Sequence, residues 1–171
     1  MRVTIETERL ILRNIVPDEY EAMFKWCGDP QVAEYMIYPL YTKSEDCRTY
    51  IESINPDKPK VYDLCFVLKE TGEIIGMGGF TYVEEFDAWE VGYNLRRDMW
   101  GNGYVPEAMK GILEYIREHE DVKAITGTFA VENIKSRRVM EKLGMSYWKD
   151  TEYEKLDGSR KYKAQIYRRD F

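Results

Sequence analysis

The residues Trp89 to Glu114, WEVGYNLRRDMWGNGYVPEAMKGILE, constrain this chain more than any other stretch. They read as a strand, a glycine-punctuated loop and a helix. Trp89 to Leu95 carries the aromatic and β-branched residues that suit a pleated, partly buried surface. Arg96 to Tyr104 is the loop, with Gly101 and Gly103 two apart. The spacing predicts a helix from about Pro106, where a missing N–H costs little because no intrahelical partner exists for it. Met109, Ile112, Leu113 and Ile116 give that helix one apolar stripe. The start of such a helix has unpaired N–H groups and the positive end of the helix dipole, which together suit a phosphate. Taken alone, two glycines before a helix more often make only a tight turn. The loop is not a Walker loop, since no G-K-[ST] follows. Nor is it the dinucleotide fingerprint, because Val105-Pro106 stands where the third glycine would be.

The flanking segments supply the rest of an α/β domain. Arg2 to Asn14 alternates and reads as one strand, with Leu10 and Leu12 on one face. Pro17-Asp18 opens a helix carrying Tyr20, Met23, Phe24 and Cys27 at helical spacing, and Gly28 closes it. Asp29-Pro30 caps a short turn reaching Tyr35-Met36. Thr42 with Glu45 reads as a capping box for a helix striped by Cys47, Tyr50, Ile51 and Ile54. Beyond Pro56 to Pro59, Val61–Leu68 and Ile74–Tyr82 are strands joined through Thr71-Gly72. Glu84 to Asp87 then turns the chain into the strand at Trp89, giving an antiparallel meander. Gly76, Gly78 and Gly79 weaken its middle strand and mark a bulge or a close backbone approach. Lys123 to Val131 is a strand again. One helix lies between it and Trp89–Leu95, which predicts a parallel, right-handed crossover. Asn133 caps the next helix, whose apolar face is Val139, Met140 and Leu143 and whose end is a left-handed Gly144. Ser146–Tyr153 and Lys161–Tyr167 pair through Asp157-Gly158. No repeat or linker interrupts the 171 residues. Residues 1–171 are therefore expected to form a single domain, with a mixed central sheet of six or seven strands and helices on both faces.

Composition narrows the function. The net charge is −6 and the pI near 5.0, against the basic balance of a nucleic-acid binder. The acidic surface suits solubility first, and steering of a cationic amine second. No apolar run reaches the roughly 18 residues of a membrane span, and acidic Glu6 and Glu8 rule out a secretory signal. Cys27, Cys47 and Cys65 show no C-x-x-C spacing and read as reduced, buried thiols of a cytoplasmic protein. The one histidine, His119, lies in a charged helix end. That argues against Ser-His or Cys-His catalysis and against histidine-based metal sites, so no metal is expected.

WGNGYVPEA resembles the acetyl-coenzyme-A loop of the GNAT superfamily of N-acetyltransferases. It is most similar to the ribosomal-protein N-terminal (Rim-type) branch, whose loop reads W-G-x-G-Y-A-x-E-A. Trp100, Gly101, Gly103, Tyr104, Glu107 and Ala108 match, while Val105 stands where the family has alanine or glycine. Glu6-Thr-Glu-Arg-Leu-Ile-Leu-Arg13 resembles the branch's opening strand. Asn133-Ile-Lys-Ser136, with Glu141-Lys-Leu-Gly-Met145, resembles its fourth motif. The three motifs span nearly the whole chain.

The resemblance implies transfer of an acetyl group from acetyl-coenzyme A to a primary amine by direct attack. It places the pyrophosphate on the backbone amides of Gly101, Asn102, Gly103, Tyr104 and Val105. Pantetheine would pair with the strand edge around Asn94, Leu95 and Arg96. Arg96 and Arg97 would add charge near the phosphates, although a solvated loop arginine is the ordinary reading for one of them. Glu90, in the pattern Glu90-Val-Gly-Tyr93, is the candidate base. Its alternative is a half-exposed strand carboxylate paired with a lysine. Many family members carry a tyrosine proton donor where this chain has Met140. The Rim-type branch has serine at Ser136, whose hydroxyl would reach the coenzyme sulfur while Asn133 bonds a pantetheine amide. Both residues also suit helix capping, and the roles are compatible because a cap leaves the amide NH2 free.

The acceptor stays open. An α-amino group, with a pKa of about 8, is roughly one-tenth neutral at pH 7, whereas a lysine amine is neutral only about once in 2,500. A weak base therefore serves an N-terminus, and protein N-termini come first, followed by polyamines, amino acids, aminoglycosides and other small amines. Trp26, Tyr35, Met36, Tyr38 and Tyr41 read as core, with one or two of them lining the acceptor pocket. The alternative reading is a non-catalytic coenzyme-A-binding sensor or docking module. A pure nucleotide binder is the third. A homodimer through the C-terminal hairpin or a sheet edge is compatible with the pattern.

Overall fold

Strict alternation lets one sheet serve two cores. The computed structural model describes residues 2–171. Eight strands form one sheet in the order β1-β2-β3-β4-β5-β6-β8-β7. In chain order the elements are β1 (Thr4–Glu6), β2 (Leu10–Arg13), α1 (Tyr20–Cys27), α2 (Pro30–Ala33), α3 (Ser44–Ser53), β3 (Val61–Leu68), β4 (Ile74–Val83) and β5 (Ala88–Leu95). They continue with α4 (Tyr104–His119), β6 (Ala124–Ala130), α5 (Ile134–Lys142), β7 (Ser146–Glu154) and β8 (Lys161–Asp170). Tyr62, Leu64 and Phe66 of β3 join Trp89, Val91 and Leu95 of β5 in a core closed by Met109, Ile112 and Ile116 of α4 and Met140 of α5. From the other face of the sheet, Cys65, Val67 and Met77 meet Met23, Trp26, Cys47 and Ile51 of α1 and α3. Helices thus cover both faces, as the α/β pattern requires.

The sheet has one strand more than the upper expectation. The Arg2–Asn14 alternation is broken at Thr7, whose N–H donates to the Leu10 carbonyl at 2.9 Å. The stretch therefore folds into an antiparallel pair, β1 against β2. Helix boundaries also shift. Helix α3 starts at Ser44 with an extended Lys43 as N-cap, and no side chain caps it. The expected Thr42–Glu45 box does not form, because Thr42 falls one residue too early. Helix α2 stops at Ala33, short of Tyr35-Met36, although Asp29 does cap it by accepting from the Gln31 N–H at 3.0 Å.

Strands β3, β4 and β5 form the expected antiparallel meander, and the glycines of β4 are where their backbones come together. A Cβ at Gly79 would overlap the Tyr62 carbonyl oxygen. Backbone cannot swing aside as a side chain can. Gly79→Ala is expected to cost at least about 2 kcal/mol, read as a lower urea midpoint at unchanged m-value. A shift below about 0.5 kcal/mol would mean the sheet yields there.

Candidate active site

Two parallel strands that part company make the site. β5 and β6 pair only at Trp89↔Ile125 and Glu90↔Thr126. Beyond Glu90, β5 stays paired to β4 alone, and β6 to β8 alone. Arg96 donates its N–H to Ile75 on the β4 side at 2.8 Å. By alternation the peptide groups of Asn94 face β4 as well, while those of Val91, Tyr93 and Leu95 face the fork. The Leu95 carbonyl is already engaged by Trp100 Nε1 at 2.9 Å. Val91 and Tyr93 keep an open edge, on which an amide-bearing chain can add as a strand.

The loop beyond β5 closes onto the fork. Gly101 (φ 80°) and Gly103 (φ 77°) take left-handed conformations, and Gly103 caps α4. The helix therefore begins at Tyr104 rather than Pro106, two residues closer to the loop. Among the described residues, the main-chain N–H groups of 101–105 make no hydrogen bond. A Cβ built at Gly101 meets nothing within 4 Å. These are the free donors and the open space that a diphosphate needs. Val105 fits this arrangement, because its side chain is buried in the α4 core and points away from those donors. The Asn102 side chain folds back onto the Met99 and Trp100 carbonyls, at 3.0 and 3.2 Å, and so shapes the loop.

A clamp from the far end of the chain holds this loop, and sequence reasoning missed it. Arg9 Nη1 donates to the Asn102 carbonyl at 2.9 Å, and its guanidinium lies 4.3 Å from the centre of the Tyr104 ring. Arg9 Nε and the Arg9 N–H both donate to the Glu107 carboxylate, at 2.7 and 3.0 Å. Thr7 Oγ1 completes the set at 2.7 Å. Burial pushes the Glu107 carboxyl up, but these donors outweigh it and hold it below the usual range. The signal was present: Arg9 and Glu107 both fall in motifs that match the family.

The other basic candidates are committed to carboxylates. Arg96 pairs with Asp98 at 2.6 Å and Glu73 at 3.5 Å, and Arg97 with Asp29 at 2.9 Å. With Lys25 they ring an open basin beside the loop.

The opposite arm of the fork carries α5. Asn133 caps it, accepting from the Ser136 N–H at 3.3 Å, and its Nδ2 donates to Ser136 Oγ at 3.1 Å. Ser136 Oγ also lies 2.7 Å from the hydroxyl of Tyr93 on β5. Burial pushes the Tyr93 phenol up to about 12, the Ser136 bond opposing, so it is protonated at neutral pH. Glu90 lies on the other face of β5, half-buried. Burial raises its carboxyl above the usual range, opposed by a bond from Thr128 Oγ1 at 3.1 Å. Gly92, next on that face, has nothing within 4 Å of a Cβ position. Beyond it Asn94 accepts from the Tyr38 hydroxyl at 2.9 Å. The structure thus gathers Glu90 with Tyr38 on one face of the fork, and Asn133 with Ser136 on the other. His119 lies at the far end of α4, about 22 Å from its start, stacked on Tyr115. Burial pushes the Cys27, Cys47 and Cys65 thiols up to about 12, 11 and 12, which keeps them unreactive.

A fold with a forked parallel pair, a free-amide loop and a helix start on each arm belongs to a known class. The acetyltransferase (GNAT) domain family matches residues 9–146, and this chain is a member of that family. It is 29% identical over 161 residues to the uncharacterized N-acetyltransferase p20 of Bacillus licheniformis, covering 91% of this chain and 89% of that one. A GNAT-family acetyltransferase from Bacillus anthracis superposes with a TM-score of 0.85 at 22% identity, covering 98% of both chains. RimL, a ribosomal L7/L12 α-N-protein acetyltransferase solved with coenzyme A, superposes at 0.82 with 18% identity, covering 99% of this chain and 98% of that one. No helix of the described residues is long and apolar enough to cross a membrane.

The clamp carries a pH signature. A carboxylate held below its unfolded value stabilises the fold above that value, about 4.3 for glutamate, and the contribution is lost as pH falls through the folded value. The Arg9 side chain is 39% exposed and Glu107 17%. Screening then leaves the pair about 1 kcal/mol. Glu107→Gln should cost about that much at pH 7 in chemical denaturation, converge with wild type below about pH 4, and weaken acetyl-coenzyme A binding several-fold. A gap undiminished at pH 3 would mean that packing, not charge, holds the loop.

Proposed function

We propose that this protein is an acetyl-coenzyme-A-dependent N-acetyltransferase for a primary amine, and that the two faces of the β5–β6 fork divide the work. The observation that carries the reading is the fork itself, with free main-chain donors at 101–105 on one side and Glu90 beside an open Gly92 on the other. Acetyl-coenzyme A supplies a thioester. The 101–105 amides and the positive end of α4 hold its diphosphate. The exposed peptide groups of Val91 and Tyr93 align its amide-bearing arm, with Asn133 Nδ2 placed to add a bond. In the transfer the amine nitrogen bonds to the acetyl carbon and the carbon–sulfur bond breaks. Glu90 accepts the amine's proton, directly or through a water, its raised carboxyl better matched to neutral pH than an ordinary glutamate. The departing thiolate takes a proton from Ser136 as Ser136 takes one from the Tyr93 phenol, and exchange with solvent then restores the Tyr93 proton and removes the one held by Glu90.

Tyr93 fits this role for Ser136. Asn133 already occupies one lone pair of Ser136 Oγ. If the protonated Tyr93 phenol donates to the other, both acceptor sites are filled. The serine's own proton then points outward, toward the position of the departing sulfur. The chain meets the lack of a tyrosine at Met140 with a hydroxyl pair drawn from β5 and α5. A non-catalytic sensor would have no use for that pair or for a desolvated Glu90.

Steady-state kinetics with a panel of amines and a thiol-release readout tests the assignment. Ser136→Ala is expected to lower kcat at least about tenfold with little change in KM for acetyl-coenzyme A. Tight coenzyme binding with no amine-dependent thiol from any amine would make the protein a sensor. In wild type, kcat/KM expressed on the neutral form of the amine should fall on the acid side through a pKa above the ordinary glutamate range, because Glu90 must be ionised to act. Glu90→Gln should lose that limb together with most of the rate, and a limb surviving in the variant would remove Glu90 as the base.

A further inference from the structure

Asp63 is a half-buried carboxylate to which no other group of the described residues donates a hydrogen bond. Other half-buried carboxylates are paired: Glu19 with Arg13, Glu107 with Arg9 and Thr7, and Glu90 with Thr128. Among the described residues Asp63 has no hydrogen-bond or ion-pair partner. Its surroundings are dense enough that burial alone pushes its carboxyl up to about 6. At neutral pH it is still largely ionised. An unpaired, desolvated charge is costly in a folded protein, and such groups concentrate where a ligand supplies the missing partner.

Its position says which ligand. Asp63 shares a face of β3 with Cys65 and Val67, the face that meets α1 and α3. In register, Asp63 faces Gly79 across β4, and Gly79 faces Gly92 across β5. Within the sheet, Gly79 and Gly92 add no side chain to that row: the β3 backbone at Tyr62 lies against Gly79, the space over Gly92 is open, and Glu90 and Asn94 flank Gly92 on the same face. Two strand spacings put the Asp63 and Gly92 backbones about 10 Å apart, so an ammonium on Asp63 and a second nitrogen above Gly92 would lie about 6–8 Å from one another. Tyrosines flank the row. Tyr50 is close enough that the Asp63 charge helps hold its phenol up. Tyr38 and Tyr41 meet edge to face at 5.8 Å, and Tyr38 is fixed on Asn94. Aromatic rings beside a carboxylate suit alkylammonium groups and their methylenes. Beyond the row, Asp63 borders a cavity of about 260 Å³ against the 54–61 segment, so the carboxylate is not sealed off.

We propose that Asp63 is the distal anchor of the acceptor cleft, and that the preferred acceptor is an α,ω-diamine whose far ammonium pairs with Asp63 while its near amine is acetylated beside Glu90. This rests on the acetyltransferase reading above and adds a second point of recognition to it. Transfer follows the same balance, acetyl carbon from sulfur to the near nitrogen, with the far ammonium unchanged throughout.

The test compares butane-1,4-diamine with butylamine, which lacks the second charge. Wild type is expected to favour the diamine at least about tenfold in kcat/KM. Asp63→Asn, checked for folding by thermal melting, should collapse that ratio toward one and abolish calorimetric binding of the diamine to the coenzyme-A-loaded protein. Asp63→Glu keeps the charge but moves it outward by one methylene, so its optimum should shift toward propane-1,3-diamine. Equal use of butylamine by wild type, or a ratio unchanged in Asp63→Asn, would overturn the anchor while leaving the acetyltransferase standing. If coenzyme A binds and no amine of any kind is acetylated, both readings fall together.

Discussion

Two residue pairs of parallel ladder, Trp89↔Ile125 and Glu90↔Thr126, hold this sheet together at its middle. The open edge of β5 follows from the ladder stopping there. A sheet interior does not ordinarily leave main-chain groups without partners, because each one buried and unpaired costs on the order of 1–3 kcal/mol. Here the gap is stabilised from outside the two strands. α4 and α5 lead their N-termini toward it, and the Trp100 indole takes the Leu95 carbonyl. The unmade hydrogen bonds leave an open edge, and the positive ends of two helices lie around it. The fork is therefore the place where the fold and its chemistry are a single problem.

The second constraint is the Arg9–Glu107 clamp, which joins residues 98 positions apart. A loop rich in glycine is free to adopt many shapes, and a free-amide cradle is useful only in one. Arg9 fixes that shape from the β1–β2 turn by holding the Asn102 carbonyl, the Tyr104 ring and the Glu107 carboxylate together. The split of the first strand at Thr7 thus has a purpose. A continuous strand through residues 2–14 would carry Arg9 along the sheet rather than up to the loop, and Thr7 would not reach Glu107.

Much of this was legible. The periods of β3, β5 and α4, the hairpin turn at Asp157-Gly158 and the left-handed end at Gly144 all follow from local chemistry, and the GNAT resemblance rested on motifs that the fold brings to one place. Where reading failed, the deciding information was not local. Helix α4 starts early because Gly103 adopts the left-handed cap, an option that the pull of Pro106 obscured. The Thr42 box fails by a single residue of extended chain. Tyr93 was visible only as the last letter of a strand motif. Its partnership with Ser136 depends on how far β5 and α5 stand apart, which no periodicity encodes. Asp63 was passed over for the same reason. Alternation gives it a face, but only the register of three strands sets it across two glycines from Gly92.

Finally, the two cores on opposite sides of the sheet are nearly separate sets of side chains, with Trp100 packed against both. The α4 and α5 side secures the donor loop, while Met23, Trp26, Cys47 and Ile51 secure the wall that an incoming nucleophile would meet. Mutations can accumulate in the latter set, and in the tyrosines it supports, without disturbing the core behind the loop at 101–105. Such partitioning makes the scaffold evolvable: a lineage can trade one nucleophile for another by drift on a single face, keeping its energy source intact throughout the change.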